Sequence, residues 1–232
     1  NNTAGNIVWH RSKPAFVYSL VGKDRRISSV LCHELGSEGV DELLMHEPNQ
    51  LYQIGIHESS SLNYLLINKS GHDSDEWHFV DVNSSTVEPT LVTNRRDKIK
   101  YVVSHHENYF YISTNDNNDN FRLVRTPIDS PAHNNWQEYI PAQDTKYLKS
   151  FSLTKNYLIL NYKVEGLDQI VIHDITSNAE HNVSFSESAY KAKGISTNFI
   201  ENDIRINYSS LGRPSTIYSY DFTQDGLTVL KT

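Results

Sequence analysis

The chain has 232 residues, 38% of them hydrophobic and 11% aromatic, with 14 tyrosines; this is enough for one large all-β domain and suits strands better than helices. A formal net charge of −7 leaves no overall basic character of the kind a nucleic-acid surface needs. No apolar run is long enough for a membrane span, no charged-then-apolar leader opens the sequence, and the single Cys32 cannot form an internal disulfide, so the expectation is a cytoplasmic protein without nucleic-acid or membrane partners.

Apolar, aromatic-rich runs recur along the chain at residues 15–21, 64–67, 109–112, 157–160 and 204–208. An apolar residue just before a turn closes each unit: Leu35, Val82, Ile128, Ile175 and Phe222, separated by 47, 46, 47 and 47 residues. Within the second unit the pattern predicts strands over 52–58, 64–68, 76–82 and 90–93. The third gives 100–106, 109–114, 121–127 and 137–140, and the fourth 148–154, 157–162, 169–175 and 182–185. Phe121-Arg-Leu-Val-Arg-Thr alternates as a half-buried strand does, and Gly, Asn, Asp and Pro supply the breaks. No segment sustains a helical stripe beyond two turns.

Four short strands per roughly 40–50 residues, repeated, are the pattern of a β-propeller blade. The expected architecture is therefore an all-β propeller of about five four-stranded blades, at about 1–47, 48–94, 95–142, 143–186 and 187–232. Leucine-rich repeats are shorter, and helical solenoids need helical stripes.

Chemistry is sparse. Gly36-Ser37-Glu38-Gly39 has the wrong spacing for the strand-to-helix turn that exposes a hydrolase serine. His105 and His106 are adjacent on a strand and so face opposite ways, which prevents both from binding one ion. No cofactor and no metal is expected. The first strand of each unit would line a central channel, and the stretches 7–10, 53–57, 100–104, 149–153 and 193–196 contain no Asp or Glu, against the paired carboxylates of a five-bladed glycosidase. Glu58 and Glu107, just after two of these stretches, are the carboxylates to consider, with solvated turns as the simpler reading. Arg95 and Arg96, followed by Lys98 and Lys100, form the densest positive cluster. They are candidates for a channel mouth or a domain interface, against the plainer reading of a solvated loop. Asp116-Asn-Asn-Asp119 reads as a polar hairpin, and Trp77 and Trp136 as packing residues in outer strands.

Several segments carry a resemblance. Tyr101-Val-Val-Ser-His-His-Glu-Asn-Tyr-Phe-Tyr-Ile-Ser-Thr-Asn, Asn120-Phe-Arg-Leu-Val-Arg-Thr-Pro and Asn135-Trp-Gln-Glu-Tyr-Ile-Pro are similar to blades of the prolyl oligopeptidase family of serine peptidases, in its oligopeptidase B (protease II) branch. Ser74-Asp-Glu-Trp-His-Phe-Val-Asp fits as well, and Asn207-Tyr-Ser-Ser-Leu-Gly-Arg-Pro-Ser-Thr-Ile-Tyr-Ser-Tyr-Asp resembles the family's last blade. The likeness runs in order from about Val8 to Lys231. It implies a seven-bladed propeller that filters substrates by size above an α/β-hydrolase domain of the same polypeptide. That domain would carry a Ser-Asp-His triad cleaving short peptides after Lys or Arg. By this resemblance the chain holds five of the blades and no catalytic residue. Blade faces left uncovered by the missing blades would favour self-association of the fragment. The alternative to this reading is a free-standing propeller serving as a protein-interaction platform.

Overall fold

A computed structural model describes residues 2–232; Asn1, where the first expected blade begins, lies outside the described residues. The described residues form twenty strands and one short 3-10 turn, His133–Asn135. The strands make five four-stranded sheets, each a meander in which every strand lies beside its chain neighbour. The first sheet holds β1 (Thr3–Trp9), β2 (Ala15–Val21), β3 (Ile27–Glu34) and β4 (Glu42–His46); the second, β5 (Gln53–Glu58), β6 (Tyr64–Ser70), β7 (Asp75–Asp81) and β8 (Thr90–Thr93). The third holds β9 (Tyr101–His106), β10 (Tyr109–Thr114), β11 (Arg122–Pro127) and β12 (Gln137–Ile140). The fourth holds β13 (Tyr147–Leu153), β14 (Tyr157–Val164), β15 (Leu167–Asp174) and β16 (Glu180–Val183), and the fifth β17 (Tyr190–Asn198), β18 (Asp203–Ser210), β19 (Thr216–Asp221) and β20 (Gly226–Lys231). The strands expected at 90–93, 109–114 and 137–140 have the observed bounds, and the others shift by one to two residues at their ends. Trp136 stands just before β12 rather than in it.

The ladder of closing residues has a definite place in this architecture. Leu35, Val82, Ile128, Ile175 and Phe222 each immediately follow the third strand of their sheet. The amides of Leu35, Val82 and Ile175 donate to the carbonyls of Pro14, Asn63 and Asn156, the residues just before the second strands, and so add one rung to the β2–β3, β6–β7 and β14–β15 pairings. The preceding aspartate fastens the turn that follows: Asp81, Asp174 and Asp221 accept the backbone N–H groups of Asn83, Thr176 and Thr223, each at 2.8 Å.

The second strands of the second, third and fourth sheets, β6, β10 and β14, are buried on both faces, whereas β2 and β18 are buried on alternate residues. Leu158 to Tyr162 on β14 are buried without interruption, whereas β20 ends in four exposed residues. A strand covered on both sides reads as a continuous apolar run, and this is why the second strands of the second, third and fourth units stand out in the sequence. By contact density the chain divides into two units, Asn1–Val103 with Thr126–Trp136, and Ser104–Arg125 with Gln137–Thr232. In the first unit, Val8, Val17 and Val30 of the first sheet pack against Ile54, Leu65, Ile67 and Val80 of the second. In the second, one face of the fourth sheet (Ile159, Ile170, Ile172) packs against Ala192, Ile204 and Ile206 of the fifth. Its other face (Leu158, Leu160, Val171) packs against Tyr111 and Leu123 of the third. Each such buried aliphatic side chain contributes about 1.5–3 kcal/mol relative to an exposed one.

Candidate functional site

The positive cluster that precedes β9 is not one patch, because Arg95, Arg96 and Lys100 each go to a different partner. Arg95 Nη2 lies 2.8 Å from Glu47 Oε2, and its guanidinium stacks 3.5 Å from the centroid of the Tyr52 ring. Its Nε is 3.9 Å from Glu76 Oε2, and Lys69 Nζ bridges to Glu76 Oε1 at 3.0 Å. Two cations thus meet two carboxylates where the β4–β5 connection passes β6 and β7. Glu47 is only 4% exposed, and its Oε1 also accepts the Asn49 amide at 2.9 Å. Burial opposes its ionisation, yet the Arg95 hydrogen bond, the Asn49 amide and Lys69 together hold the carboxyl below the usual carboxylate range. Beside them, burial pushes the His78 imidazole down to about 4, with Glu76 opposing and Lys69 and Arg95 adding to the effect. His78 is therefore neutral near pH 7.

Arg96 turns the other way, 5.4 Å from the centroid of Trp136, whose Nε1 donates to the Pro131 carbonyl at 3.0 Å. Lys100 Nζ pairs with Asp75 Oδ1 at 2.8 Å and donates to the Gly71 carbonyl at 2.9 Å. Lys98 alone of the four is exposed, at a positive φ of 59°. Arg95 and Arg96 are half-buried, so the solvated-loop expectation does not describe them: the first is held between carboxylates, the second over an indole.

The two candidate carboxylates remain at the surface. Glu58 is the last residue of β5, inside the strand rather than after it, and Glu107 sits in the β9–β10 turn at φ 52°. Neither carboxylate joins an ion pair among the described residues. His105 Nε2 lies 2.7 Å from the Glu107 carbonyl and His106 Nε2 2.8 Å from the Lys155 carbonyl, so each of these nitrogens carries the proton. The two rings point to opposite faces, as adjacent strand residues must. Asp116, in the polar hairpin, takes a bidentate bond from Arg122, Nε to Oδ1 at 2.8 Å and Nη2 to Oδ2 at 3.0 Å. No triad of Ser, His and Asp and no phosphate cradle forms among the described residues.

Sequence reasoning missed a repeated inter-sheet fastening. Asp75 Oδ2 accepts the Tyr101 amide of β9 at 3.3 Å, and Asp168 Oδ2 accepts the Ala192 amide of β17 at 3.0 Å. Each aspartate is buried beside a lysine of the inner strand or its lead-in, Lys100 or Lys149, at 2.8 Å. Burial raises the Asp168 pKa, but Lys149, the Ala192 amide and Lys163 outweigh it and hold the carboxyl low. The signal was present: Asp75 and Asp168 each stand six residues before the aspartate that closes the same strand. Asn161 makes a second fastening, donating to the Gly194 carbonyl at 2.8 Å and accepting its amide at 2.7 Å.

Five four-stranded meander sheets, with a third-strand aspartate of the second and of the fourth fastened to the first strand of the sheet that follows, define a propeller-type domain. The profile of the prolyl oligopeptidase N-terminal β-propeller domain matches residues 1–232, and the chain belongs to that family. Protease 2 of Moraxella lacunata is 30% identical over 218 residues, 92% of this chain and 31% of that protein. Dipeptidyl aminopeptidase BI of Pseudoxanthomonas mexicana is 25% identical over 94% of the chain and 30% of its own length. Oligopeptidase B from Leishmania major superposes with a TM-score of 0.92 at 22% identity over 100% of this chain and 34% of that one. The Trypanosoma brucei enzyme, also over 100% of this chain and 34% of its own, gives 0.91 at 21%. The chain therefore spans about a third of the length of these relatives. No helix among the described residues is long and apolar enough to cross a membrane.

Proposed function

We propose that this chain is the gating and size-filtering portion of a serine oligopeptidase of the oligopeptidase B type. Its five sheets would be consecutive blades, at about 1–47, 48–94, 95–142, 143–186 and 187–232, of a seven-bladed propeller. The observation that carries the reading is the match of the family's propeller profile along the whole chain. An α/β-hydrolase domain of the same polypeptide then supplies the triad, and this portion supplies none of the reacting groups. Stiff, two-sided sheets fastened by buried Asp and Asn side chains suit a rigid cover whose motion is confined to a few chain crossings. Short peptides pass such a cover and folded proteins do not, and cleavage falls after Lys or Arg. Arg95 and Arg96 act in this reading as internal struts of the cover, and Glu58 and Glu107 remain surface candidates for contact with peptide or with the hydrolase domain. The protein acts in the cytoplasm.

The test is the full-length protein against peptides of graded length with a single Lys, Arg or Pro. Cleavage after the basic residues that falls away with increasing length is expected. Equal cleavage of a folded protein and a short peptide would remove the filtering role, and cleavage only after Pro would remove the oligopeptidase B assignment.

A further inference from the structure

The two aspartate fastenings do the same structural work with different charge. In the second sheet Asp75 Oδ1 accepts the Ser70 hydroxyl at 2.7 Å and pairs with one ammonium, Lys100, at 2.8 Å, while Oδ2 takes the Tyr101 amide. One carboxylate thus meets one cation. In the fourth sheet Asp168 Oδ1 faces two ammonium groups, Lys149 at 2.8 Å and Lys163 at 3.2 Å, and Oδ2 takes the Ala192 amide. The strand register defines the difference. Lys163 pairs across to Asp168 as Ser70 pairs across to Asp75, so a lysine stands where the other sheet needs only a hydroxyl.

Lys149 reaches the carboxylate through a bulge. β5 pairs with β6 without interruption from Gln53 to Glu58. In β13, by contrast, Leu148 faces Tyr162 and Ser150 faces Asn161, which leaves Lys149 as an extra, unpaired residue. A bulge gives up regular pairing and re-aims a side chain. Here it brings a lysine to a carboxylate that already has Lys163. A third lysine is near in the chain: Lys191 precedes the amide that Asp168 accepts, as Lys100 precedes the amide that Asp75 accepts. Unlike Lys100, Lys191 is exposed and joins no ion pair among the described residues, and neither does Glu165 in the turn after β14.

Two like charges held against one oxygen repel, and a single carboxylate offsets only one of them. Asp168 is buried, but the Lys149 and Lys163 side chains are 38% and 40% exposed, so their remaining N–H donors are open to a ligand. The surplus at the contact is one positive charge, which matches a monoanion.

We propose that Lys149 and Lys163 form a binding site for a carboxylate ligand, with Asp168 holding the two ammonium groups together and Lys191 raising the local positive potential. The inference rests on the contrast between the two fastenings and not on the peptidase reading, and its test uses no peptidase assay.

In the full-length protein, acetylation of individual lysines by an N-hydroxysuccinimide ester, followed by peptide mass spectrometry, reads the site directly. At twice its Kd, N-acetyl-glycylglycine is expected to slow the reaction of Lys149 and Lys163 about threefold and to leave Lys155, on the exposed β13–β14 turn, unchanged. The corresponding amide should protect neither. Equal protection by acetate would identify a small carboxylate as the ligand, and protection by the peptide acid alone a chain terminus. Lys163→Ser copies the second sheet, so it should keep β17 protected from hydrogen exchange while weakening peptide binding at least about tenfold. Equal protection by acid and amide, protection by inorganic phosphate alone, no protection, or unaltered binding by Lys163→Ser would each overturn the proposal.

Discussion

Replacing Asn161 by alanine tests whether single polar side chains hold successive sheets together. Asn161 is 4% exposed and engages both backbone groups of Gly194 on the next sheet, at 2.8 and 2.7 Å. The substitution leaves a buried N–H and a buried C=O without partners, each costing about 1–3 kcal/mol. Some relaxation or an entering water recovers part of this, so a net loss of about 3 kcal/mol is expected at the fourth–fifth sheet interface. At 1.4 kcal/mol per factor of ten, that is a roughly hundredfold rise in local opening. Hydrogen exchange of the peptide covering β17 in the full-length protein reads it directly, since the Gly194 amide loses its acceptor. Asn161→Asp keeps an acceptor for that amide but sets a carboxylate against the Gly194 carbonyl, and exchange should rise there too, more at neutral pH than in acid. A folded Asn161→Ala protein whose β17 exchange changes by less than about threefold would refute the reasoning.

Gly194→Ala should loosen the same interface from the opposite side. A Cβ there would stand 2.8 Å from Ile159 Cγ2 and 3.1 Å from Ile170 Cγ2, an overpacking worth roughly 1–3 kcal/mol, read as a lower melting temperature. Arg95→Ala leaves Glu47 buried beside too little positive charge and should destabilise by about 3 kcal/mol in denaturant titration, while Arg95→Lys recovers only part because an ammonium cannot match the planar stack on Tyr52. His78 supplies a pH dependence. Its folded pKa, about 4, lies below the ordinary 6.5, so between these values the unfolded chain binds more protons and stability falls as pH drops from 6.5 to 4, by up to about 3 kcal/mol. His78→Phe should flatten that limb of a melting-temperature profile. An unchanged limb would place the proton uptake elsewhere.

Much of the fold was legible because a sheet covered on both sides needs unbroken apolar strands at regular intervals. The runs beginning at Ala15, Tyr64, Tyr109 and Tyr157 are second strands, and the residues from Leu35 to Phe222 spaced by 46 or 47 are the first positions beyond third strands. Turn chemistry was legible for the same local reason, since Asp81, Asp174 and Asp221 bond amides two residues onward. The candidate residues were less so. Arg95 reads from sequence as one member of a basic stretch, but its partner Glu47 lies 48 residues away and Glu76 is on another strand. Glu58 and Glu107, singled out for their place after first strands, stay at the surface.

The order of the elements, their all-β character and the repeat were written in the amino-acid sequence, because strand alternation, two-sided burial and turn capping act over a few residues. Which polar groups meet was decided only in three dimensions. Asp168 with Ala192, Asn161 with Gly194, and His173 with Tyr139 are joined across 24 to 34 residues by the stacking of one sheet on the next. A buried hydrogen bond depends on the position of both partners, and that position exists only once the sheets have packed.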